Sequence, residues 1–159
     1  MLKEGHWGVA LVCYAPVGWL LLDARPGLAL AGGIGVLALA RLPDVDLRLP
    51  FVPHRGPTHT LAFALAVGGV LAGAATLLAN QLPPSLAAPW LVPFAGFVGV
   101  FGILTHLAGD VVTPSGVPLL WPLSGRRFSL GLVRASNTVA NWGALALGAF
   151  ATALAVLVR

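Results

Sequence analysis

The sequence has few charged residues. Only 9% of its 159 residues are Asp, Glu, Lys or Arg, whereas 58% are hydrophobic, and ordinary soluble domains contain roughly 25% charged residues. A water-soluble fold of this size would lack the polar side chains that its surface requires, so the composition excludes that class. Because a transmembrane helix needs about 20 mainly apolar residues, the chain has room for roughly four to six spans.

Cysteine and clustered basic residues are equally scarce. The single cysteine, Cys13, lies in an apolar stretch, which excludes an internal disulfide bond and a cysteine-rich zinc site. The net charge is +4, but the nine basic residues form no run with interleaved aromatic residues, so we expect no nucleic-acid partner. We interpret the basic residues as determinants of membrane topology.

Apolar runs predict an all-α fold with one membrane-embedded domain, residues 1–159, and about five transmembrane helices. The predicted helices cover residues 7–22, 26–42, 57–79, 93–112 and 138–158. Residues 113–135 are rich in Gly, Pro, Ser and Arg, so we expect an interfacial segment before the last helix. Gly69 and Gly73 fit the small-xxx-small pattern of helix packing.

Helix direction decides where the ionisable residues lie. Because consecutive spans leave the membrane on opposite sides, residues from four separate stretches come to one side, named the site side below. They comprise all four histidines and three of the five acidic residues, namely His6, His54, His59, His106, Asp44, Asp46 and Asp110. Ionisable residues in membranes are costly and mark functional sites, so we predict that these seven residues form one metal-binding site.

The basic residues predict the orientation of the chain. Seven of them map to the site side, namely Lys3, Arg41, Arg48, Arg55, Arg126, Arg127 and Arg134, whereas Arg25 and Arg159 map to the other side. Cytoplasmic loops carry the excess of Lys and Arg. We therefore expect a multi-pass protein of the plasma (inner) membrane with its N-terminus and its site on the cytoplasmic side.

His106 and Asp110 have the spacing of a shared site. They are four residues apart on a predicted helix, so both side chains lie on one face and can bind the same metal ion. A hydrogen-bonded pair with a structural role has the same spacing. Gly102, one turn earlier, would let a neighbouring helix approach closely.

Asp44 and Asp46 form a second candidate element. The bend at Pro43 would let both carboxylates face one point, and two close carboxylates repel each other unless a cation lies between them. A solvated turn at the membrane interface is the alternative.

The hexapeptide His54-Arg55-Gly56-Pro57-Thr58-His59 is the most distinctive motif. Two histidines flank a turn at a predicted helix start, where Arg55 has the paired donors that bind phosphate. Contact with lipid headgroups is the alternative for Arg55. His6 by itself carries little information and gains weight only because it shares the site side.

The ordered motifs resemble the YdjM-type family of LexA-binding, inner-membrane-associated metal-dependent hydrolases. The resemblance runs from His6 through Leu42-Pro43-Asp44-Val45-Asp46, the hexapeptide and His106-Leu107-Ala108-Gly109-Asp110 to about Ser129. It implies a fold related to zinc-dependent phospholipase C, with His106, Asp110, Asp46 and His59 as metal ligands. Those phospholipases use a later His-xxx-Glu pair, whereas the comparable stretch here, residues 137–141, has no ionisable residue.

These features favour a membrane-bound hydrolase that cleaves a phosphoester in a lipid or lipid-linked substrate. Nitrogen and oxygen ligands without thiolate fit Zn²⁺, with Mn²⁺ or Fe²⁺ as alternatives, and the residues suffice for two ions. Asp44 or Asp46 would bridge the ions or act as general base, and Arg55 and Arg127 would stabilise phosphate charge.

Two other functions are alternatives to this hypothesis. One is a non-catalytic metal-binding membrane protein, a carrier or a scaffold, although transporter sites lie near the membrane midplane and often occur in repeats. The other is an intramembrane metalloprotease, which is disfavoured because the sequence contains no His-Glu-x-x-His motif.

Overall fold

The computed structural model describes residues 1–83 and 88–158, and this part of the chain is an all-helical bundle. Its five α-helices are α1 (Lys3–Leu22), α2 (Pro26–Leu39), α3 (Leu61–Ala79), α4 (Leu91–Val111) and α5 (Thr138–Leu157). The predicted fold class is confirmed. Arg159, which the sequence assigned to the side opposite the site, lies outside the described residues.

Each of the five helices begins a segment that is long and apolar enough to cross a membrane. The mean hydropathy of these segments lies between 1.4 and 2.2, and the second segment extends beyond α2 to Arg48. The protein is therefore a polytopic membrane protein. Its helices alternate in direction, so the start of α1, α3 and α5 and the end of α2 and α4 share the site side.

Two short 3₁₀ helices lie where the sequence predicted the end of the second span and the start of the third. They are Pro43–Arg48 and Pro57–His59. The helix predicted from residue 57 begins instead at Leu61, because Thr60 has an extended backbone and its side chain accepts the N–H of Phe63. A cap of this kind fixes the helix start. The two 3₁₀ helices thus lie outside the long helices, at the end of the bundle on the site side, named the site end below.

α1 and α4 are the centre of the bundle. α1 packs against α2, α4 and α5, and α4 packs against α1, α2 and α3. One buried apolar cluster joins α1, α2 and α4, and a second joins α3 and α4. This arrangement places the two helices that carry His6 and His106 side by side.

Glycines allow the closest helix contacts. A Cβ added at Gly8 in α1 would overlap the backbone of Ala144 in α5, and a Cβ at Gly99 in α4 would lie 2.7 Å from Cα of Gly68 in α3. A Cβ at Gly102 would lie 2.6 Å from Cβ of Leu39, so the predicted close approach at Gly102 is confirmed.

The packing pattern predicted at Gly69 and Gly73 is wrong for contacts within this chain. A Cβ at either glycine would meet no atom within 4 Å, because both lie on the side of α3 that faces away from α4. The glycine of α3 that does pack is Gly68, one residue earlier, where a Cβ would lie 3.0 Å from the carbonyl oxygen of Gly96.

The segment between α4 and α5 contains no α-helix, as predicted. An antiparallel bridge joins Val117 and Phe128, which exchange two backbone hydrogen bonds. Further backbone bonds tie Leu130 to Val111, and the N–H of Leu61 to the carbonyl of Leu119. The segment is therefore fixed to the site end of α3 and α4.

Candidate metal centre

Five ionisable side chains from four elements meet at the site end of the bundle. α1 contributes His6, the first 3₁₀ helix contributes Asp44, the second contributes His59, and α4 contributes His106 and Asp110. His6, His59, His106 and Asp110 are buried, whereas the side chain of Asp44 is 23% exposed. The predicted convergence of these residues is confirmed.

Three overlapping groups among the described residues have ligand atoms within 4.8 Å of one another. They are His59–His106–Asp110, His6–Asp44–His106 and Asp44–His54–His59. The groups share members, so they form one cluster. Its members lie up to 104 residues apart in the sequence, from His6 to Asp110, so they meet only because the chain folds.

The distances in the cluster have the size expected for zinc ligands. Zn–N and Zn–O bonds of about 2.0–2.2 Å give a tetrahedron with edges of about 3.3–3.6 Å. Nε2 of His59 lies 3.1 Å from Nε2 of His106, and both nitrogens lie 3.4 Å from Oδ2 of Asp110. Oδ1 of Asp44 lies 3.6 Å from His59 and 3.7 Å from His106. Five of the six distances among these four atoms, named the tetrahedral set below, are thus close to those of a tetrahedral zinc site.

Hydrogen bonds set the tautomers of the two central histidines. Nδ1 of His106 lies 2.8 Å from the carbonyl oxygen of Ala40, which only accepts, so Nδ1 carries the proton. Nδ1 of His59 lies 3.0 Å from the hydroxyl oxygen of Thr58, which donates its own proton to Oδ2 of Asp46 and so accepts from His59; Nδ1 therefore carries the proton. In the neutral imidazoles both Nε2 atoms then have lone pairs, and these face each other and Asp110. Such an arrangement is stabilised by a proton or a metal ion between them.

Other buried atoms in the cluster lack a hydrogen-bond partner. Both ring nitrogens of His6 and Oδ2 of Asp110 are buried without one, although the described protein satisfies most other buried polar groups. A buried polar group without a partner costs about 1–3 kcal/mol. The His6 ring stacks on His106 at 3.8 Å, so the unpaired nitrogens lie beside the tetrahedral set.

The environment of His59 favours positive charge. Burial by itself lowers the pKa of His59, but hydrogen bonds to Asp110 and Asp44, together with the charges of Asp110 and Asp46, outweigh it and raise the pKa above its usual value. The carboxylates around His59 therefore stabilise a cation at this position.

Asp46 lies behind His59 and does not face the tetrahedral set. Its Oδ1 contacts Nδ1 of His54 at 2.9 Å, and its Oδ2 accepts the N–H of Arg55 and the hydroxyl of Thr58. Side chains two positions apart in a 3₁₀ helix differ by about 240° in direction, so Asp44 and Asp46 do not converge as the sequence predicted. Asp46 instead fixes the ring of His59.

Arg55 faces Asp110 rather than the open side of the site. Its guanidinium lies 2.7 Å from Oδ1 of Asp110 and also donates to Thr113 and to the carbonyl of Gly116. Arg55 has a φ of 58°, a left-handed conformation that few non-glycine residues adopt. The α-amino group of Met1 contacts the same carboxylate oxygen at 2.6 Å. Oδ1 of Asp110 is thus neutralised by protein groups, and Oδ2 remains for the cluster.

His54 lies at the rim of the cluster. Its side chain is 42% exposed, and its ring meets that of His59 edge-on at 5.4 Å between centroids. Because Nδ1 contacts Asp46, Nε2 of His54 is the nitrogen that can take a further ligand. Arg127 lies nearby but donates to the carbonyls of Ser115 and Gly116.

Comparison with known proteins identifies the family. The model of the family described as YdjM inner membrane protein matches residues 1–159. The chain belongs to this family. It is 40% identical over 74 residues to the inner membrane protein YdjM of Escherichia coli (strain K12), and equally so to that of Shigella flexneri.

The aligned region is 46% of this chain and 32% of each relative, so the chain covers about a third of the length of these curated relatives. No solved structure matches the chain. Membership in the family of inner membrane proteins agrees with the five candidate spans. The similarity to zinc-dependent phospholipase C stays a prediction.

Several supporting residues of this family member were not predicted from its sequence. Thr58, Thr113 and the carbonyl of Ala40 orient the site residues, and their residue types give no signal of this role. Asn141 stands in the stretch that lacks the phospholipase-type ligands. It is buried, accepts the N–H of Leu2 and donates to two backbone carbonyls, so it ties the start of α1 to α5.

Proposed function

We propose that this protein is a membrane-embedded metal-dependent hydrolase that cleaves a phosphoester in a lipid or lipid-linked substrate. The observation that carries the proposal is the pair of Nε2 atoms of His59 and His106, which lie 3.1 Å apart and within 3.7 Å of Oδ2 of Asp110 and Oδ1 of Asp44. Neutral imidazoles and carboxylates with this spacing bind a divalent cation.

The residues present fit Zn²⁺ best, with Mn²⁺ or Fe²⁺ as alternatives. Two nitrogen and two oxygen atoms, with the five distances given above, support one ion between His59, His106, Asp44 and Asp110. His6, with two unpaired buried nitrogens, extends the set. The second ion predicted from the sequence would need His6 and Oδ1 of Asp110, and Oδ1 already pairs with Arg55. The number of ions stays a prediction.

A divalent cation in such a site supplies Lewis-acid polarisation of a phosphoryl group and lowers the pKa of a water molecule to about 7. Asp44 is the member of the set with an exposed face, so we assign it the uptake of the proton from the attacking water. Asp46 and Arg55 position His59 and Asp110 respectively and do not contact the reacting atoms in this assignment.

The surroundings of Asp44 support an anionic substrate. A cavity of about 500 Å³ opens at the site end and is lined by Asp44 and three basic residues, Lys3, Arg41 and Arg48. Basic side chains beside the cation would hold a phosphate and stabilise its charge. This role was predicted for Arg55 and Arg127, whose guanidinium groups instead bind Asp110 and backbone carbonyls.

The test is hydrolysis by protein purified in detergent. We expect the wild type with Zn²⁺ to cleave a chromogenic phosphodiester or a phospholipid, a chelator to abolish the activity, and added metal to restore it. Asp110→Asn should be inactive, whereas Asp23→Asn, a matched change between α1 and α2 on the opposite side, should keep the activity. Metal binding without turnover of any phosphoester would contradict the proposal and favour the non-catalytic carrier or scaffold.

A further inference from the structure

An apolar furrow runs along α1 between α2 and α5. Two cavities of about 250 and 390 Å³ form it, and they are adjacent, since Leu11 and Leu37 line both. The hydroxyls that border it are already used, since Tyr14 donates to the carbonyl of Ala29 and Thr152 to that of Gly148. The furrow therefore offers apolar surface and no free polar group.

The furrow is adjacent to the cavity beside the candidate metal centre. Ala38, near the end of α2, lines both the 390 Å³ cavity and the 500 Å³ cavity that contains Asp44. The three cavities thus lie in a row from Asp44 along α1 towards the membrane interior. Their lining changes at Ala38 from basic and polar to wholly apolar.

The dimensions of the furrow suit a lipid acyl chain of one leaflet. The residues of α1 that line it run from Trp7 to Leu22, which at 1.5 Å per residue is about 22 Å. Half of the hydrocarbon thickness of a bilayer is roughly 15 Å. An acyl chain that starts at the site end would therefore lie in the furrow along its full length.

The charges at the site end match an anionic headgroup. Lys3, Arg41 and Arg48 line the polar cavity together with the single carboxylate of Asp44. The guanidinium of Arg41 lies over the ring of Trp7, 5.6 Å from its centroid, at the point where the furrow begins. Cationic groups above an apolar furrow are complementary to a lipid phosphate above its acyl chain.

We propose that the substrate is an anionic phospholipid or lipid phosphate that enters sideways between α2 and α5, with its phosphate held by Arg41, Arg48 and Lys3 and one acyl chain in the furrow. This inference rests on the proposed hydrolase function, because it places the phosphate next to Asp44. A helix of a second copy would fill the apolar part only and would leave the basic cavity without an anion.

The test measures lipid retention by native mass spectrometry of protein purified in detergent and supplied with phosphatidylglycerol, phosphatidylcholine or inorganic phosphate. We expect selective retention of phosphatidylglycerol. Ala38→Phe, which would block the junction, should weaken retention by about tenfold. Ala66→Phe is the matched control on α3, because Ala66 is also exposed and lies outside the furrow.

A charge variant provides a second test, in which no larger side chain is placed in the furrow. Arg41 and Arg48 are exposed, so the double change Arg41→Gln with Arg48→Gln should leave the fold intact and weaken phosphatidylglycerol retention by about tenfold. Arg25→Gln, on the opposite side, should have no effect. Equal retention of phosphatidylcholine, or an equal loss in both members of a control pair, would overturn the inference.

Two further outcomes separate this inference from the hydrolase proposal. Retention is also measured with Asp110→Asn, which we expect to bind phosphatidylglycerol without turnover, so an inactive protein does not obscure the result. Hydrolysis of a soluble phosphodiester without selective lipid binding would overturn the inference and leave the hydrolase proposal standing. Inorganic phosphate bound as well as the lipid, or a dimer that Ala38→Phe dissociates, would also overturn it.

Discussion

At the scale of single residues, each central histidine has one nitrogen fixed by the protein and one directed into the cluster. A backbone carbonyl fixes His106, and Asp46 with Thr58 fixes His59. Such outer contacts decide which nitrogen is available and how the ring is oriented. The chemistry of the site therefore depends on residues that would not themselves bind the ion.

Asp46→Asn tests this dependence. Asparagine keeps the size of the side chain but removes the charge that holds Nδ1–H of His59, and loss of such an outer partner lowers metal affinity by about 10- to 100-fold. Competition with a chromophoric chelator would measure the affinity. Unchanged affinity in Asp46→Asn would contradict the positioning role, and a complete loss of metal would indicate that Asp46 is itself a ligand.

Arg55→Gln tests the buried pair with Asp110. Removing one partner of a buried ion pair costs about 3–5 kcal/mol, because the other charge stays buried without compensation. We expect the unfolding midpoint in detergent to fall clearly for Arg55→Gln and to change little for Arg127→Gln, whose exposed side chain contacts only backbone carbonyls. Equal effects of the two changes would contradict the assignment.

Residue types and their spacing predicted which side chains gather at the site, but not what each one contacts. Asp44 and Asp46 look equivalent in the sequence, and only the direction of successive side chains in the 3₁₀ helix separates their positions. Arg55 looks like a phosphate-binding residue in sequence, yet its left-handed backbone directs it to Asp110. Neither backbone conformation can be predicted from residue types and their spacing.

At the scale of elements, the two 3₁₀ helices and the first turn of α1 bring their histidines and carboxylate to α4. The long helices followed from apolar runs, and the ends of the five predicted spans lie within about four residues of the observed ones. The short 3₁₀ helices were not predicted, because three to six residues with proline at the start have no clear period.

Gly8→Ala tests the packing that positions His6. A methyl group at Gly8 would overlap the backbone of Ala144, and backbone cannot move aside as a side chain can. We expect a loss of at least about 1–3 kcal/mol in the free energy of unfolding. Gly143→Ala is the control, since a Cβ there meets no atom within 4 Å. Similar unfolding curves for the two variants would contradict this contact between α1 and α5.

At the scale of the whole molecule, the sequence predicted the arrangement of the spans and of the histidines. Alternation of five spans was enough to gather four histidines on one side, because a membrane allows few other arrangements of apolar helices. Which glycines pack could not be predicted in the same way, since Gly68 and Gly69 differ only in their direction around α3. The orientation of the bundle in the membrane stays a prediction from the basic residues.

Cysteine labelling in cells tests that orientation. In a Cys13→Ser background, a membrane-impermeant thiol reagent should label Asn80→Cys in intact spheroplasts and Leu123→Cys only after permeabilisation. Leu123 is exposed at the site end, and Asn80 ends α3 on the opposite side. The reverse pattern would place the candidate metal centre on the periplasmic side.

The most direct test of the central claim is the metal content of the protein after purification in detergent without chelators. We predict about one divalent ion per chain, most simply Zn²⁺, in the wild type and in Asp23→Asn, and none in Asp110→Asn. A wild type free of divalent metal, or an Asp110→Asn variant with the wild-type content, would contradict a metal centre built on His59, His106, Asp44 and Asp110.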